Sequence, residues 1–162
     1  MVVTIASGLC TESLRIMEAP MALNVLVVDD SSVMRAMIIR CLRLSGLPVS
    51  EYYQAGNGKE GLAILEKQWI DVALVDLNMP VMSGEEMIHA IRQNPENANL
   101  SIVVISTEGS ATRIGRLRTQ GVEFVHKPFS PETLREIVVG VTGVQDADIT
   151  ESRTAESSGT DF

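Results

Sequence analysis

Four side chains whose types could do chemistry together stand at the ends of short apolar runs. LNVLVVDDS delivers Asp29 and Asp30, VALVDLNMP delivers Asp76, and FVHKPF delivers Lys127. Continuous Val/Ile/Leu runs of this length are expected of parallel-sheet strands, which are covered on both faces. Sites in open α/β sheets lie at the carboxyl ends of strands, so three acids and a lysine would converge there. Three carboxylates at one point repel each other and favour a hard cation that prefers oxygen, most simply Mg2+. A lysine beside them suits an anion such as phosphate.

The elements that must position these residues follow from the pattern on either side. A strand at 24–28 leads into an amphipathic helix from Ser32 to Ser45, stopped by Gly46 and Pro48. A second strand, 49–54, alternates polar and apolar residues as an edge strand does, and Asn57 caps a helix running to Gln68. The third strand is 71–75 and its helix 84–93. The fourth strand is 101–106 and its helix 110–120. The fifth strand is 122–126, and Ser130-Pro131 opens the last helix with a cap and a first-turn proline. Five strand–helix units imply an α/β, doubly wound, five-stranded parallel sheet with helices on both faces.

Composition narrows the class. A chain of 162 residues suits one domain, with no solenoid-period repeat and no room for a second unit. Apolar residues make up 45% but aromatics only 4%, so the core is expected to be aliphatic and methionine-rich. The net charge of −8 is uneven. Residues 22–144 carry 11 Lys/Arg against 14 Asp/Glu, a near balance that gives no support to nucleic-acid or membrane binding. Residues 145–162 are acidic and Ser/Thr-rich, with little to bury, and read as a disordered tail. Residues 1–21 read as a disordered extension. Their apolar start lacks a preceding charge and breaks off too early for a signal peptide or a membrane span. Cys10 and Cys41 are too few and too far apart for a disulfide framework or a zinc site, which points to the cytoplasm. Cys41, at helical spacing from Met34, Met37 and Ile38, is expected to be a buried packing residue.

VVDDSS, VDLNMPVMSG, VISTEG and HKPF, in that order across residues 23–142, resemble the response-regulator receiver domain of bacterial two-component signalling, most closely the stand-alone chemotaxis-type receivers. The resemblance implies a flavodoxin-like (βα)5 fold and a phosphoacceptor at Asp76, which takes its phosphoryl group from the phosphohistidine of a histidine kinase or phosphotransfer protein. It implies Mg2+ held by Asp29, Asp30, Asp76 and the backbone carbonyl of Asn78, with Asp29 acting through water. Lys127 is implied to contact the phosphoryl group, with a cis peptide before Pro128. Ser106, or Thr107 if the strand ends one residue later, is implied to bond the phosphoryl group in the active state. Phe124 matches the switch aromatic of strand 5; without a tyrosine hydroxyl, it would act by packing alone. Asn78 and Glu108 match positions that tune attack by water, and the pair implies rapid self-dephosphorylation. No other catalysis is implied.

Other readings compete on chemistry. GNGKEG, residues 56–61, fits the dinucleotide fingerprint G-x-G-x-x-G, but it follows a half-polar second strand rather than a buried first one. A haloacid-dehalogenase-type phosphatase needs an acid two residues after its aspartate, and Asn78 cannot exchange a proton at neutral pH. A receiver fold serving only as a docking module is the alternative that remains, and the intact set of acids, serine and lysine argues against it. His126 neighbours Lys127 on a strand, so it should point away from the site. Arg113, Arg116 and Arg118, around Ile114 and Leu117, read as a solvated helical face. The resemblance adds a use for them, because receivers present helix 4, strand 5 and helix 5 to downstream protein targets.

Overall fold

Alternation along the strands decides which helices cover which face. A computed structural model describes residues 22–144, so the expectations for residues 1–21 and 145–162, including Cys10, lie outside the described residues. The strands are β1 (Leu23–Val28), β2 (Val49–Ala55), β3 (Val72–Val75), β4 (Ser101–Ser106) and β5 (Val122–His126). The helices are α1 (Ser32–Leu44), α2 (Gly58–Lys67), α3 (Gly84–Gln93), α4 (Ala111–Arg118) and α5 (Pro131–Thr142). All strands pair in parallel in the order β2-β1-β3-β4-β5. This is the flavodoxin-like doubly wound order, for which chemotaxis receivers are a standard example.

Val25 and Val27 of β1 face one layer with Ile38, Ile39 and Leu42 of α1 and Leu134 and Val138 of α5. Leu26 and Val28 face the other, with Leu65 of α2, Met87, Ile88 and Ile91 of α3, and Leu117 of α4. All four residues of β3 are buried, as the unbroken VALV run requires. β2 carries the mixed burial of an edge strand, as its alternating sequence predicts. The core is aliphatic, but methionine supplies less than expected. Met87 is fully buried, Met34, Met79 and Met82 only partly, and Met37 is exposed. Cys41 packs against the α1/α5 layer but is half-buried rather than buried.

Helix boundaries follow local chemistry. Ser31, Asn57, Ser83, Ser110 and Ser130 cap the five helices, each accepting a bond from a first-turn amide. Ser83 and Glu86 form a reciprocal capping box at the start of α3. The helix predicted over 110–120 is shorter, because Ser110 is its cap and Thr119 its C-terminal cap.

The glycines of GNGKEG serve packing. A Cβ on Gly58 would lie 2.7 Å from Cγ of Met82, and one on Gly61 would lie 2.6 Å from Cε of Met87, so these glycines let α2 approach the 77–83 loop and α3. The Gly56 amide, which would hold a phosphate in the dinucleotide reading, donates instead to Glu60 Oε2 at 2.7 Å.

Candidate functional site

Two backbone bonds continue the sheet just past its buried strands. The Asp29 amide donates to the Ala55 carbonyl at 3.1 Å, and the Asp76 amide donates to the Val28 carbonyl at 2.9 Å. Asp29 and Asp76 therefore leave β1 and β3 side by side, at the point where strand order reverses and ligands settle in such sheets. One carboxylate oxygen from each of Asp29, Asp30 and Asp76 lies within 4.8 Å of the others. Asp29 and Asp76 are buried, and Asp30 is exposed.

Asp29 is held from several sides. Its Oδ1 accepts from the Ser31 amide at 2.9 Å, its Oδ2 from Lys127 Nζ at 3.3 Å, and its carbonyl from Arg35 Nη1 at 2.6 Å. Arg35 also donates to Gln54 of β2. The arginine thus braces the end of β1, a role that nothing in the local sequence signals. Ser31 supplies the cap of α1, so helix capping accounts for neither aspartate. Asp76 Oδ1 accepts from the Leu77 amide at 2.9 Å and lies 3.7 Å from Lys127 Nζ. The peptide between Lys127 and Pro128 is cis.

Burial pushes the Asp76 carboxyl above the usual aspartate range, and the Asp29 and Asp30 charges add to the rise, while Lys127 and the Leu77 amide oppose it. Three carboxylates against one ammonium leave two negative charges in a small volume. An all-oxygen donor set with that excess fits a divalent hard cation. Asp29, Asp30 and Asp76 are the residues that would hold it. The ion would supply charge neutralisation and orientation of phosphoryl oxygens.

The neighbouring strand end adds a hydroxyl. Ser106 is 1% exposed, while Thr107 is exposed beyond the strand, so β4 ends where the first of the two alternatives places it. Ser106 Oγ accepts from the Glu108 amide at 3.2 Å, and its carbonyl accepts from the Lys127 amide at 3.0 Å. Phe124 is buried in the layer that contains Leu117, and the exposed His126 ring meets its edge at 4.7 Å between centroids. His126 is therefore on the Phe124 face of the strand, as alternation predicts. Asn78 is exposed in the loop that follows Asp76.

Glu108 is not the loose side chain its position suggests. Its Oε1 accepts from the Ser110 amide at 2.8 Å, and its Oε2 is paired with Arg113 Nη1. Arg113 Nε reaches Glu85 Oε1 of α3 at 2.5 Å. The Ser110 amide and then Arg113 hold the Glu108 carboxyl below the usual glutamate range. Of the three helix-4 arginines read as a solvated face, Arg116 and Arg118 are exposed and Arg113 is not; it is half-buried and committed to two carboxylates. Spacing along α4 could not reveal this, because Glu85 is 28 residues away.

Residues 25–139 match the response regulator receiver domain family, and the chain belongs to it. The chain is 32% identical over 123 residues to the chemotaxis protein CheY homolog of Campylobacter jejuni, covering 75% of this chain and 93% of that one. It is 32% identical over 131 residues to the sensor histidine kinase CheAY of Helicobacter pylori, where the match covers 79% of this chain but 16% of that one. Among solved structures, Vibrio cholerae chemotaxis protein CheY4 superposes with a TM-score of 0.67 at 34% identity, covering 75% of this chain and 99% of that one. The chain is thus a receiver domain of the chemotaxis type. Among the described residues, no helix is long and apolar enough to cross a membrane.

Proposed function

We propose that residues 22–144 form a phosphorylation switch in which Asp76 accepts a phosphoryl group from a histidine kinase or phosphotransfer protein, with Mg2+ at Asp29, Asp30, Asp76 and the Asn78 carbonyl. The observation that carries this reading is the cluster itself: three carboxylates with oxygens within 4.8 Å, and a lysine 3.3 Å and 3.7 Å from two of them. A cluster with no ligand to hold would be a standing electrostatic cost, since like charges about 4 Å apart repel by ~4 kcal/mol near a protein surface.

Asp76 attacks phosphorus with a carboxylate oxygen, and the phosphohistidine nitrogen leaves with the bonding pair. Lys127, now between Asp29 and Asp76, lies where it can bind an oxygen of the arriving group. Ser106, whose Oγ accepts from the Glu108 amide, donates its hydroxyl proton to a phosphoryl oxygen, which draws the start of the β4–α4 loop toward the group. Phe124 follows by packing. The two conformations differ at α4, β5 and α5, and the ratio of the two populations carries the signal to a protein target. The exposed Arg116 and Arg118 suit an acidic partner. Bulky cationic side chains at Asn78 or Glu108 shield the path of water and lengthen the phosphorylated state. The reaction takes place in the cytoplasm, where a phosphohistidine donor is made, and the protein catalyses nothing beyond its own phosphorylation and dephosphorylation.

The test is incubation with Mg2+ and acetyl phosphate, followed by intact-mass measurement. A gain of one phosphoryl group, absent in Asp76→Ala, is expected. No gain in the wild type, with the fold intact, would leave the docking-module alternative.

A further inference from the structure

Glu108 sits two residues past Ser106, tied to it through its own amide at 3.2 Å, yet its carboxylate is turned to the Ser110 amide and Arg113. Arg113 is anchored in turn by Glu85 on a different helix. Its planar fork spans the two carboxylates, a geometry that a point-charge lysine does not reproduce. Only one residue of α4, Leu117, is buried, with Ile114 partly buried against the same layer. The start of the helix is therefore held by the Ser110 cap and by these contacts of Arg113 rather than by core packing. The Glu108 side chain keeps 19% exposure, so it is near water but occupied on both oxygens. We propose that Arg113 is a positioning residue that withholds the Glu108 carboxylate from the water attacking phosphorylated Asp76, and so lengthens the life of the signal.

The proposal rests on the reading of Asp76 as the phosphoacceptor. In the hydrolysis, the water oxygen bonds to phosphorus while the phosphorus–Asp76 oxygen bond breaks. The carboxylate departs with the bonding pair, inorganic phosphate leaves, and the water's proton passes to solvent directly or through an accepting carboxylate. Glu108 is the acidic side chain next to Ser106, and a carboxylate already accepting on both oxygens is a poor acceptor for that proton. The depressed ionisation range of Glu108 agrees with this.

The experiment follows decay of the phosphorylated full-length chain after the donor is removed, by intact mass, for wild type, Arg113→Ala, Arg113→Lys, Glu108→Gln and the Arg113→Ala/Glu108→Gln pair. Arg113→Ala should decay faster by roughly three- to tenfold, well inside the ~100-fold that a positioned proton acceptor can contribute. Arg113→Lys should fall between Arg113→Ala and wild type. Measured against Glu108→Gln alone, the Arg113→Ala/Glu108→Gln pair should show no acceleration. Unchanged or slower decay in Arg113→Ala, or equal acceleration without the Glu108 carboxylate, would overturn the proposal. A second readout needs no phosphoryl group. The carboxyl carbon of Glu108, followed by NMR against pH, should titrate below the ordinary glutamate range in wild type and move up in Arg113→Ala. The charged groups around it are Arg113 and, across the guanidinium, Glu85. An unmoved titration would overturn the clamp even if decay changed. Failure of the wild type to take up phosphate would instead overturn the reading of Asp76, and the titration would still judge the clamp.

Discussion

Asp76 and Asp30 illustrate how burial divides roles among like charges. Asp76 is buried and its carboxyl is raised by that burial, so its proton is held more tightly folded than unfolded. For an acid shifted upward, stability falls as pH rises from the ordinary value of 3.8 to the folded value, and the penalty is complete above it. Without metal, Asp76→Asn should therefore raise the melting temperature near neutral pH by a few degrees, a relief on the order of 1 kcal/mol. The gain should vanish below pH 3.8. Melting curves of both proteins across pH check it, and a constant difference at all pH values would contradict the assignment. Mg2+ should reverse the ranking, because a ligand at about 100 times its Kd stabilises the wild type by ~2.7 kcal/mol. Asp30 is exposed and caps no helix, so Asp30→Ala should keep the fold and lose Mg2+-dependent phosphorylation. Full phosphorylation of that variant would remove Asp30 from the cation site.

The passage from β3 into α3 holds two positions whose substitutions have opposite expected signs. Val81 has φ 67° and is 77% exposed, a left-handed conformation that a β-branched residue strongly disfavours, with little packing in return. Val81→Asn should stabilise by about 1 kcal/mol, read as a higher melting temperature; an unchanged value would mean that the unfolded ensemble, not strain, dominates there. A Cβ on Gly84 would sit 2.2 Å from the Asp76 carbonyl oxygen, so the backbone at Asp76 and Leu77 rests directly on the start of α3. Gly84→Ala should cost about 1–3 kcal/mol and slow phosphorylation, since relief of the clash must move Asp76 or the helix. Unaltered stability would show that the helix start yields freely. Neither feature was legible beforehand. MPVMSG reads as a loop from its proline, serine and glycine, but φ at one residue and the distance between two backbones are products of where β3 and α3 finally lie.

At the scale of the whole molecule, legibility followed the range of the interaction. The strands and two of the five caps, Asn57 and Ser130, came through because runs such as VALV and SIVVIS and a cap's bond to its first turn act within a few residues. The sequence pattern did not mark Ser31, Ser83 and Ser110 as caps. The carboxylate cluster came through because parallel strands bring their carboxyl ends to one edge of the sheet. Arg92 did not. It donates to the carbonyls of Ala98, Leu100, Gln120 and Gly121, joining the end of α3 to the turns before β4 and β5, and burial pulls its guanidinium below the usual arginine range. A solvated arginine on α3 has the same local sequence. The proposed boundaries of the receiver unit rest on similar reasoning at the ends. Leu23 opens β1, with its amide on the Pro48 carbonyl, and α5 closes at Gly143, in the left-handed conformation that ends helices. Among the described residues, both layers of the core lie within residues 23–144. Truncation to 21–144 should preserve the melting temperature within about 2 °C, the expectation for end segments whose sequence offers little apolar surface to bury, and should preserve uptake of the phosphoryl group from acetyl phosphate. A fall of many degrees would place the N-terminal or C-terminal residues in the folded core, and single truncations at each end would tell which. A normal melting temperature with lost phosphorylation would mean instead that one end acts on the site, which the near-balanced charge of residues 22–144 gives no reason to expect.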